Sequence, residues 1–282
     1  MRRRGYILET SKSPPWQQPI GERPMEKSEI REYYQLQGES ANHQRLMYET
    51  GDMCSLYIQN RRKEVMESII RGHGGHYFLD VGCAEGAYTE FATKYFSVSV
   101  GVDISVPKLR RAMLRRTRRA YYIAADAEHL PFCEDSFDMT TCVDMLRYAS
   151  NPSHVLRELV ACSNNLVAIQ SGTPLSKIWA SKFIHRDYLQ IRHELLTNPF
   201  AGAIWVISSR SLRRICGKGS RIIGAVPSFI LYQLLPLRLR YHAMFLADKI
   251  YRSFNEITPL NLLSEFTTVV FRKENFNGAT KQ

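Results

Sequence analysis

Six cysteines are scattered at positions 54, 83, 133, 142, 162 and 216 with no CxxC pair and no His/Cys spacing that suits zinc. That excludes a zinc-ribbon or redox-motif reading, and the apolar surroundings of most of them fit reduced core thiols in a cytosolic, cytoplasmic protein. No stretch is long enough to cross a membrane. The longest uncharged run, between Arg221 and Arg238, falls short of the ~20 residues required and is broken by Pro227 and Pro236. The opening "MRRRGYILETSKSPPW" carries basic residues but no apolar segment behind them, so it does not read as a secretory signal. Solenoid-type repeats are lacking as well. Acids are in short supply: 27 Asp and Glu face 38 Lys and Arg, a formal charge of +11. Such an excess brings nucleic acid or an anionic membrane surface into consideration as partners.

The 282 residues are 44% hydrophobic and include 13 Phe, 15 Tyr and 3 Trp, enough for one large α/β domain or a domain with additions. Residues 1–26 are rich in proline and polar residues and are expected to be a flexible leader. Met25 opens a better-patterned segment, so a translation start there is an expectation that N-terminal sequencing of the native protein would check. Residues 27–75 read as an N-terminal helical segment, with Ile58, Val65, Met66, Ile69 and Ile70 as a buried stripe.

From residue 76 strands and helices alternate. "HYFLDVGC" (76–83), "SVSVGVDI" (97–104), "AYYIAAD" (120–126), "FDMTTCVDM" (137–145) and "NLVAIQSG" (165–172) read as strands, and "RIIGAVPSF" (221–229) and "FTTVVFRK" (266–273) as two more. Asn151-Pro152 opens a helix, and another is expected over 209–216. The pattern predicts a doubly wound, mostly parallel seven-stranded α/β sheet of Rossmann-like type over 76–282, helices on both faces, with lid insertions at about 173–208 and 230–265. The densest basic cluster, "KLRRAMLRRTRR" (108–119), has seven basic residues in twelve. Leu109, Ala112, Met113 and Leu114 give it an apolar side, so it reads as a packed helix with a solvated basic face or as a polyanion-binding face.

In an open α/β sheet, ligands bind beyond the carboxyl ends of the strands. Asp80, Asp103, Asp126 and Asp144 each stand at that end of one of four successive strands. Gly82 and Gly86 let the backbone turn tightly and approach a ligand, and the following helix offers unpaired N–H groups to a carboxylate or phosphate. Asp103, about 20 residues on, is placed to accept both ribose hydroxyls. Asp126 and the Ala127 N–H can read an adenine edge between Ile104 and Leu130. The frame Gly82-x-Ala84-x-x-Ala87 is a poor match to a pyrophosphate loop, and Asp80 would repel a pyrophosphate while attracting an ammonium or sulfonium. An adenosine carrying a cation and a carboxylate meets these demands, as S-adenosylmethionine does.

"LDVGCAEG", "VGVDIS", "ADAEHLPF" and "FDMTTCVDML" together resemble the first four motifs of class I S-adenosylmethionine-dependent methyltransferases, in the branch that includes quinone, sterol and other small-molecule or lipid methylases (methyltransferase type 11). The resemblance covers 76 to about 172 closely and the layout to 273 loosely. It implies that Asp80, Gly82, Cys83, Ala84 and Gly86 line the methionine part of the cofactor and that Asp103 holds the ribose. It further implies that Ile104 faces the adenine, that Asp126 and Ala127 bind its amine, and that Asp144, Met145 and Leu146 border the methyl group. Ala84 replaces the usual middle glycine. Arg147 and Tyr148 stand where relatives commonly carry a histidine, so catalysis from that position is in question.

The candidate catalytic groups are therefore Asp144, Tyr148, and the His185 and His193 of "FIHRDYLQIRHELL". Tyr33, Tyr34, Tyr48 and Tyr57 precede the first strand and are candidates to close over the cofactor or to pack. No metal site is expected. The two insertions, rich in Trp, Phe, Leu and Tyr with interspersed Arg and Lys, are candidates to roof a hydrophobic acceptor pocket with peripheral membrane contact, to enlarge the core, or to form a homodimer contact. Alternatives stay open at this level: an RNA methyltransferase, a cofactor-binding relative without catalysis and, less favoured by the glycine spacing, a nicotinamide-dependent oxidoreductase.

Overall fold

The computed structural model describes residues 27–40, 53–172, 221–227, 237–253 and 264–273. The helix expected over 209–216, the whole first insertion and parts of the second, and His185, His193, Tyr48 and Cys216 lie outside the described residues. Two helices, α1 (Lys27–Ser40) and α2 (Met53–His73), precede the sheet. Then come β1 (Gly75–Val81), α3 (Ala87–Ala92), β2 (Phe96–Asp103), α4 (Val106–Leu114), β3 (Ala120–Ala124) and β4 (Phe137–Val143). A single 3-10 turn (Leu146–Tyr148) leads to α5 (Pro152–Cys162) and β5 (Ser163–Gly172). The described chain closes with β6 (Arg221–Pro227), α6 (Leu237–Ser253) and β7 (Ser264–Arg272).

The sheet order is β3-β2-β1-β4-β5-β7-β6. β1 to β5 are parallel, whereas β7 runs antiparallel to both β5 and β6. The order reverses between β1 and β4, so their carboxyl ends flank the crevice that this topology offers to ligands. The inner strands are largely buried because both faces are covered, with their polar Thr140, Thr141 and Gln170 each hydrogen-bonded. On one face Leu79, Val81, Leu156, Leu159, Val167 and Phe271 pack beneath α5. On the other, Phe78, Phe96, Met139 and Leu166 meet Val65, Met66, Ile69 and Ile70 of α2. The expected stripe on α2 is thus the surface that docks this helix on the sheet, with Ile58 packing toward α6.

α4 differs from expectation. It stops at Leu114, and Arg116 and Arg119 adopt left-handed backbone (φ 51° and 72°) in a turn into β3. Only Leu109 and Ala112 of its expected apolar side are buried, while Met113 is half-exposed and Leu114 is 78% exposed. Lys108, expected on the solvated basic face, is buried with its ammonium 4.7 Å from the centre of the Tyr34 ring.

Candidate functional site

The loop after β1 is held from below by backbone. Gly82 and Cys83 both donate to the Val102 carbonyl (2.8 and 3.0 Å), and Gly86 donates to that of Cys83 (2.8 Å). Gly82 and Gly86 have φ of +77° and +75°, a region that favours glycine. A Cβ on Gly82 would lie 2.6 Å from Met145 Cγ, and one on Gly86 would lie 2.5 Å from the Tyr122 ring. Ala84 is also left-handed, at φ 49°. The loop is anchored from the side as well. Arg111 Nε pairs with buried Glu85 at 3.0 Å, and Arg115 donates to the Glu85 carbonyl (2.8 Å) and to Glu90 (3.0 Å). Two arginines of the basic cluster therefore fix the glycine loop.

Asp103 ends β2 with its carboxylate accepting the Ala84 N–H and the Ser105 N–H, both at 2.8 Å. Burial pushes its carboxyl up, opposed by the Lys108 ammonium and these N–H groups. Each oxygen holds one such bond and has lone-pair capacity for a further donor. Asp126 follows β3 and caps its own turn, accepting from Glu128 N at 2.9 Å. Beside it lies a cavity of about 460 Å³ lined by Ile104, Ala124, Ala125, Asp126 and, from α1, Ser28 and Arg31. α1 is tied over this end by Gln35 donating to the Ile104 carbonyl (2.9 Å) and by Ser105 Oγ donating to the Tyr34 carbonyl (2.8 Å). Ala127 packs partly buried at the edge of the core, and Leu130 is buried within it, away from the ring-sandwiching place expected for it.

Asp80 is placed differently from the expectation. It is 1% exposed, with its oxygens accepting the hydroxyls of Thr89 (3.0 Å) and Thr141 (3.1 Å). Burial is the chief cause of a pKa pushed up to about 6, the two hydroxyls opposing it. It braces the glycine loop from behind, joining β1, α3 and β4, and presents no open face to a ligand's ammonium. Cys83 is likewise buried, and burial pushes its thiol well up.

The methyl-side residues follow β4. Asp144 is left-handed (φ 57°), its N–H donates to the Gln170 carbonyl (2.8 Å), and its carboxylate pairs with Arg62 at 2.8 Å. Tyr148 meets Tyr34 edge-on with ring centres 5.5 Å apart. Arg62, which the sequence reading missed, comes from α2 and is 2% exposed. Its Nε donates to Gln170 (2.8 Å), whose amide donates back to the Arg62 carbonyl and to Thr268 of β7. The missed signal was a charge at 62 on the same helical face as Ile58, Val65, Met66 and Ile69. Behind it, Tyr57 donates to Asp248 of α6 (2.6 Å) and Arg61 lies 3.4 Å from the same carboxylate. Among the described residues no group of His, Cys, Asp and Glu is arranged to hold a metal.

Residues 79–164 match the family model of a methyltransferase domain (Methyltransf_11). The chain is similar to demethylmenaquinone methyltransferase from Roseiflexus sp. (strain RS-1), 36% identical over 84 residues that make up 29% of this chain and 35% of that protein. It is also similar to demethylmenaquinone methyltransferase from Mycobacterium tuberculosis (strain ATCC 25618 / H37Rv), at 26% identity over 158 residues, 54% of this chain and 66% of that one. The chain thus spans about one third to two thirds of the length of these curated relatives. Among solved structures, an S-adenosylmethionine-dependent methyltransferase from Mesorhizobium loti superposes with a TM-score of 0.50 at 17% identity, covering 77% of this chain and 100% of that one. A possible histamine N-methyltransferase from Thermotoga maritima gives 0.52 at 12% identity, covering 84% and 97%. These two likenesses are of fold.

Residues 79–164 thus combine the sheet order and glycine loop described above with similarity to a methyltransferase domain. The Mesorhizobium loti protein, which shares the fold, is S-adenosylmethionine-dependent by name. The donor set fits that cofactor: two carboxylates at the ends of β2 and β3, an apolar-walled cavity beside the second, and a glycine turn with backbone amides before α3.

Proposed function

We propose that the protein transfers a methyl group from S-adenosylmethionine to a small-molecule or lipid-like acceptor. The observation that carries this reading is the cavity walled by Ile104, Ala124, Ala125 and Asp126, with Asp103, the residue before Ile104, bonded to Ala84 of the left-handed loop 82–86. In this reading Asp103 accepts the ribose hydroxyls, Ile104 packs on the adenine, and Asp126 with Ala127 binds its amine. Gly82, Cys83, Ala84, Gly86 and Met145 border the methionine portion, and Asp80 acts from behind the loop. The cofactor supplies a methyl carbon already activated by its sulfonium. The chain's own contribution is alignment of the two reactants and exclusion of water, with a base only where the acceptor carries a proton. Asp144 is engaged by Arg62, which makes it an orienting group rather than that base. Tyr148, His185 and His193 remain the candidates.

The acceptor class rests on the flank around α2 and α6. Leu239, Phe245 and Leu246 of α6 and Met53 of α2 are exposed, next to the ring cluster of Tyr57, Tyr241 and Phe245. With His242 and Lys249 also exposed on α6, this is an apolar face with a basic rim, suited to a hydrophobic acceptor or to peripheral contact with a membrane surface from the cytoplasm. No helix among the described residues is long and apolar enough to cross a membrane. The names of the demethylmenaquinone methyltransferases that it resembles support the same class, and insertions at 173–208 and 230–265 would roof the pocket.

An RNA acceptor has one feature in its favour, the exposed Arg110, Arg116, Arg118 and Arg119. The turn that carries the last three leads into Ala120, which pairs with Ser99 near the start of β2. It therefore lies at the amino edge of the sheet, away from the methyl side.

A thermal melt with S-adenosylhomocysteine tests the reading, with NADH as control and Asp103→Ala as a second protein. Ligand at about 100 times its dissociation constant stabilises by roughly 2.7 kcal/mol, on the order of 5–10 °C for a chain of this size. A shift with S-adenosylhomocysteine alone, abolished in Asp103→Ala, is expected; no shift, or one with NADH, overturns the reading. Turnover of isoprenoid quinones and lipids, against RNA, then separates the acceptor classes and the non-catalytic alternative.

A further inference from the structure

We infer that Arg62 is a positioning residue for the methionine end of the cofactor, acting through Asp144 on Met145. The inference rests on the cofactor reading above and adds a residue outside the matched domain, since the family match begins at residue 79.

Three observations converge. First, Arg62 is a charged residue on an apolar helix face, and burying it is tolerable only with partners that satisfy its guanidinium. Its partners include Asp144 after β4 (2.8 Å) and Gln170 on β5 (2.8 Å), both at the carboxyl edge of the sheet, and Gln59 on its own helix (3.3 Å). Second, Asp144 is held in left-handed backbone, which aspartate tolerates best when its polar groups are fixed by local partners. Here the Gln170 carbonyl grips its N–H while Arg62 grips its carboxylate. Third, that backbone turn aims the next residue. The Met145 side chain rests where a Cβ of Gly82 would be, its Cβ and Cγ 2.7 and 2.6 Å from that position. Met145 thereby closes the outer wall of the glycine loop, where a methionine moiety would lie. Thr268 on β7 holds Gln170 from the far side, so the strut runs from β7 through Gln170 and Arg62 to Asp144.

Removing the Arg62 guanidinium leaves the Asp144 turn without its main restraint, and Met145 is no longer pressed against Gly82. The adenosine half of the pocket, built on β2, β3 and α1, shares none of these contacts. Affinity for the part of the ligand that carries the amino acid should therefore fall while affinity for the nucleoside part is kept.

The test is calorimetric titration with S-adenosylhomocysteine and with 5′-methylthioadenosine, which lacks the amino-acid portion. Wild type that binds neither overturns the cofactor reading itself. With wild-type binding in hand, Arg62→Ala should weaken S-adenosylhomocysteine by about 10- to 100-fold, the range for losing a hydrogen bond to a charged group, and leave 5′-methylthioadenosine unchanged. Arg62→Lys, which keeps the charge but loses the forked geometry, should recover part of the loss. Asp144→Asn should mimic Arg62→Ala, and the double variant should be no worse than either alone. Equal weakening of both ligands, or of neither, overturns the inference. So does a loss confined to Arg62 variants with Asp144→Asn unaffected, which would mean direct contact between Arg62 and the ligand. Should Arg62→Ala fail to fold, the ratio of the two affinities in Arg62→Lys and Asp144→Asn decides by the same criteria.

Discussion

Toward β2 and β3 the strand-end carboxylates are held chiefly by nearby backbone N–H groups, whereas toward β4 and β5 the edge is held by buried charged and amide side chains from distant segments. Asp103 takes the N–H of Ser105 two residues on and that of Ala84 nineteen residues back, and Asp126 takes the N–H of Glu128. On the other flank Arg62 reaches Gln170 across 108 residues, and Tyr57 reaches Asp248 across 191. The first flank is built mainly on neighbouring strand ends and loops, with α1 laid over it through Gln35 and Ser105. The second exists only once α2, β5, β7 and α6 have assembled around it. In the proposed function the first flank binds the cofactor, and the second, which faces the acceptor, is assembled from the rest of the chain.

Breaking the distant flank should have the largest effect. Asp248 is 0% exposed, and Asp248→Ala leaves Arg61 and the Tyr57 hydroxyl without their shared carboxylate. A loss of about 3–5 kcal/mol is expected, the range for removing one partner of a buried ion pair. Chemical denaturation measures it, and limited proteolysis should find new cleavage in α6 ahead of the sheet.

Asp80 lies where the two flanks meet and should reveal itself through pH. Its carboxyl is pushed from 3.8 to about 6 in the folded protein, so the folded state binds its proton more tightly than the unfolded chain. Its contribution is therefore full below pH 4 and lost as pH rises through about 6. The wild-type stability should fall relative to Asp80→Asn across this window by up to about 3 kcal/mol, at roughly 1.4 kcal/mol for every pH unit that separates the folded and unfolded values. Parallel melts at pH 4 and pH 7 check it, and equal pH dependence in both proteins would contradict the buried placement.

The local flank should show the smallest response. Gly86→Ala forces a side chain into left-handed backbone and against the Tyr122 ring, at about 2 kcal/mol. Its effect on S-adenosylhomocysteine affinity should exceed that of Asp248→Ala even though its effect on stability is lower, a crossing that calorimetry and melts together would display.

The same contrast explains what was legible in the sequence. Strand-end acids and left-handed glycines announce themselves within a few residues, so Asp103, Asp126, Gly82 and Gly86 could be assigned to the carboxyl edge from spacing alone. The stripe that docks α2 was equally visible at helical period. Arg62 was not, because its role depends on partners more than eighty residues away and nothing in its neighbourhood names them. Asp80 was misjudged for a related reason: its place beside the loop follows from the motif, but the hydroxyls of Thr89 and Thr141 that enclose it come from α3 and β4. The basic cluster misled by composition, since Lys108, Arg111 and Arg115 are used internally, while Arg110 of α4 and the arginines of the turn into β3 face solvent.

The placement of β7 between β5 and β6 has a consequence for how the chain is made. Strand β6 is synthesised first, yet its sheet neighbour is a strand some forty residues later, and the edge of β5 waits nearly a hundred residues for the same partner. During synthesis β5 therefore presents an unpaired apolar edge and β6 has nowhere to attach. Both are completed in a single late insertion, which also delivers Thr268 to Gln170. Pairings so distant in sequence close slowly, and an open strand edge is an invitation to the wrong neighbour. The nascent protein thus passes through a stage in which β1 to β4 can be paired while the other side of the sheet still waits for β7.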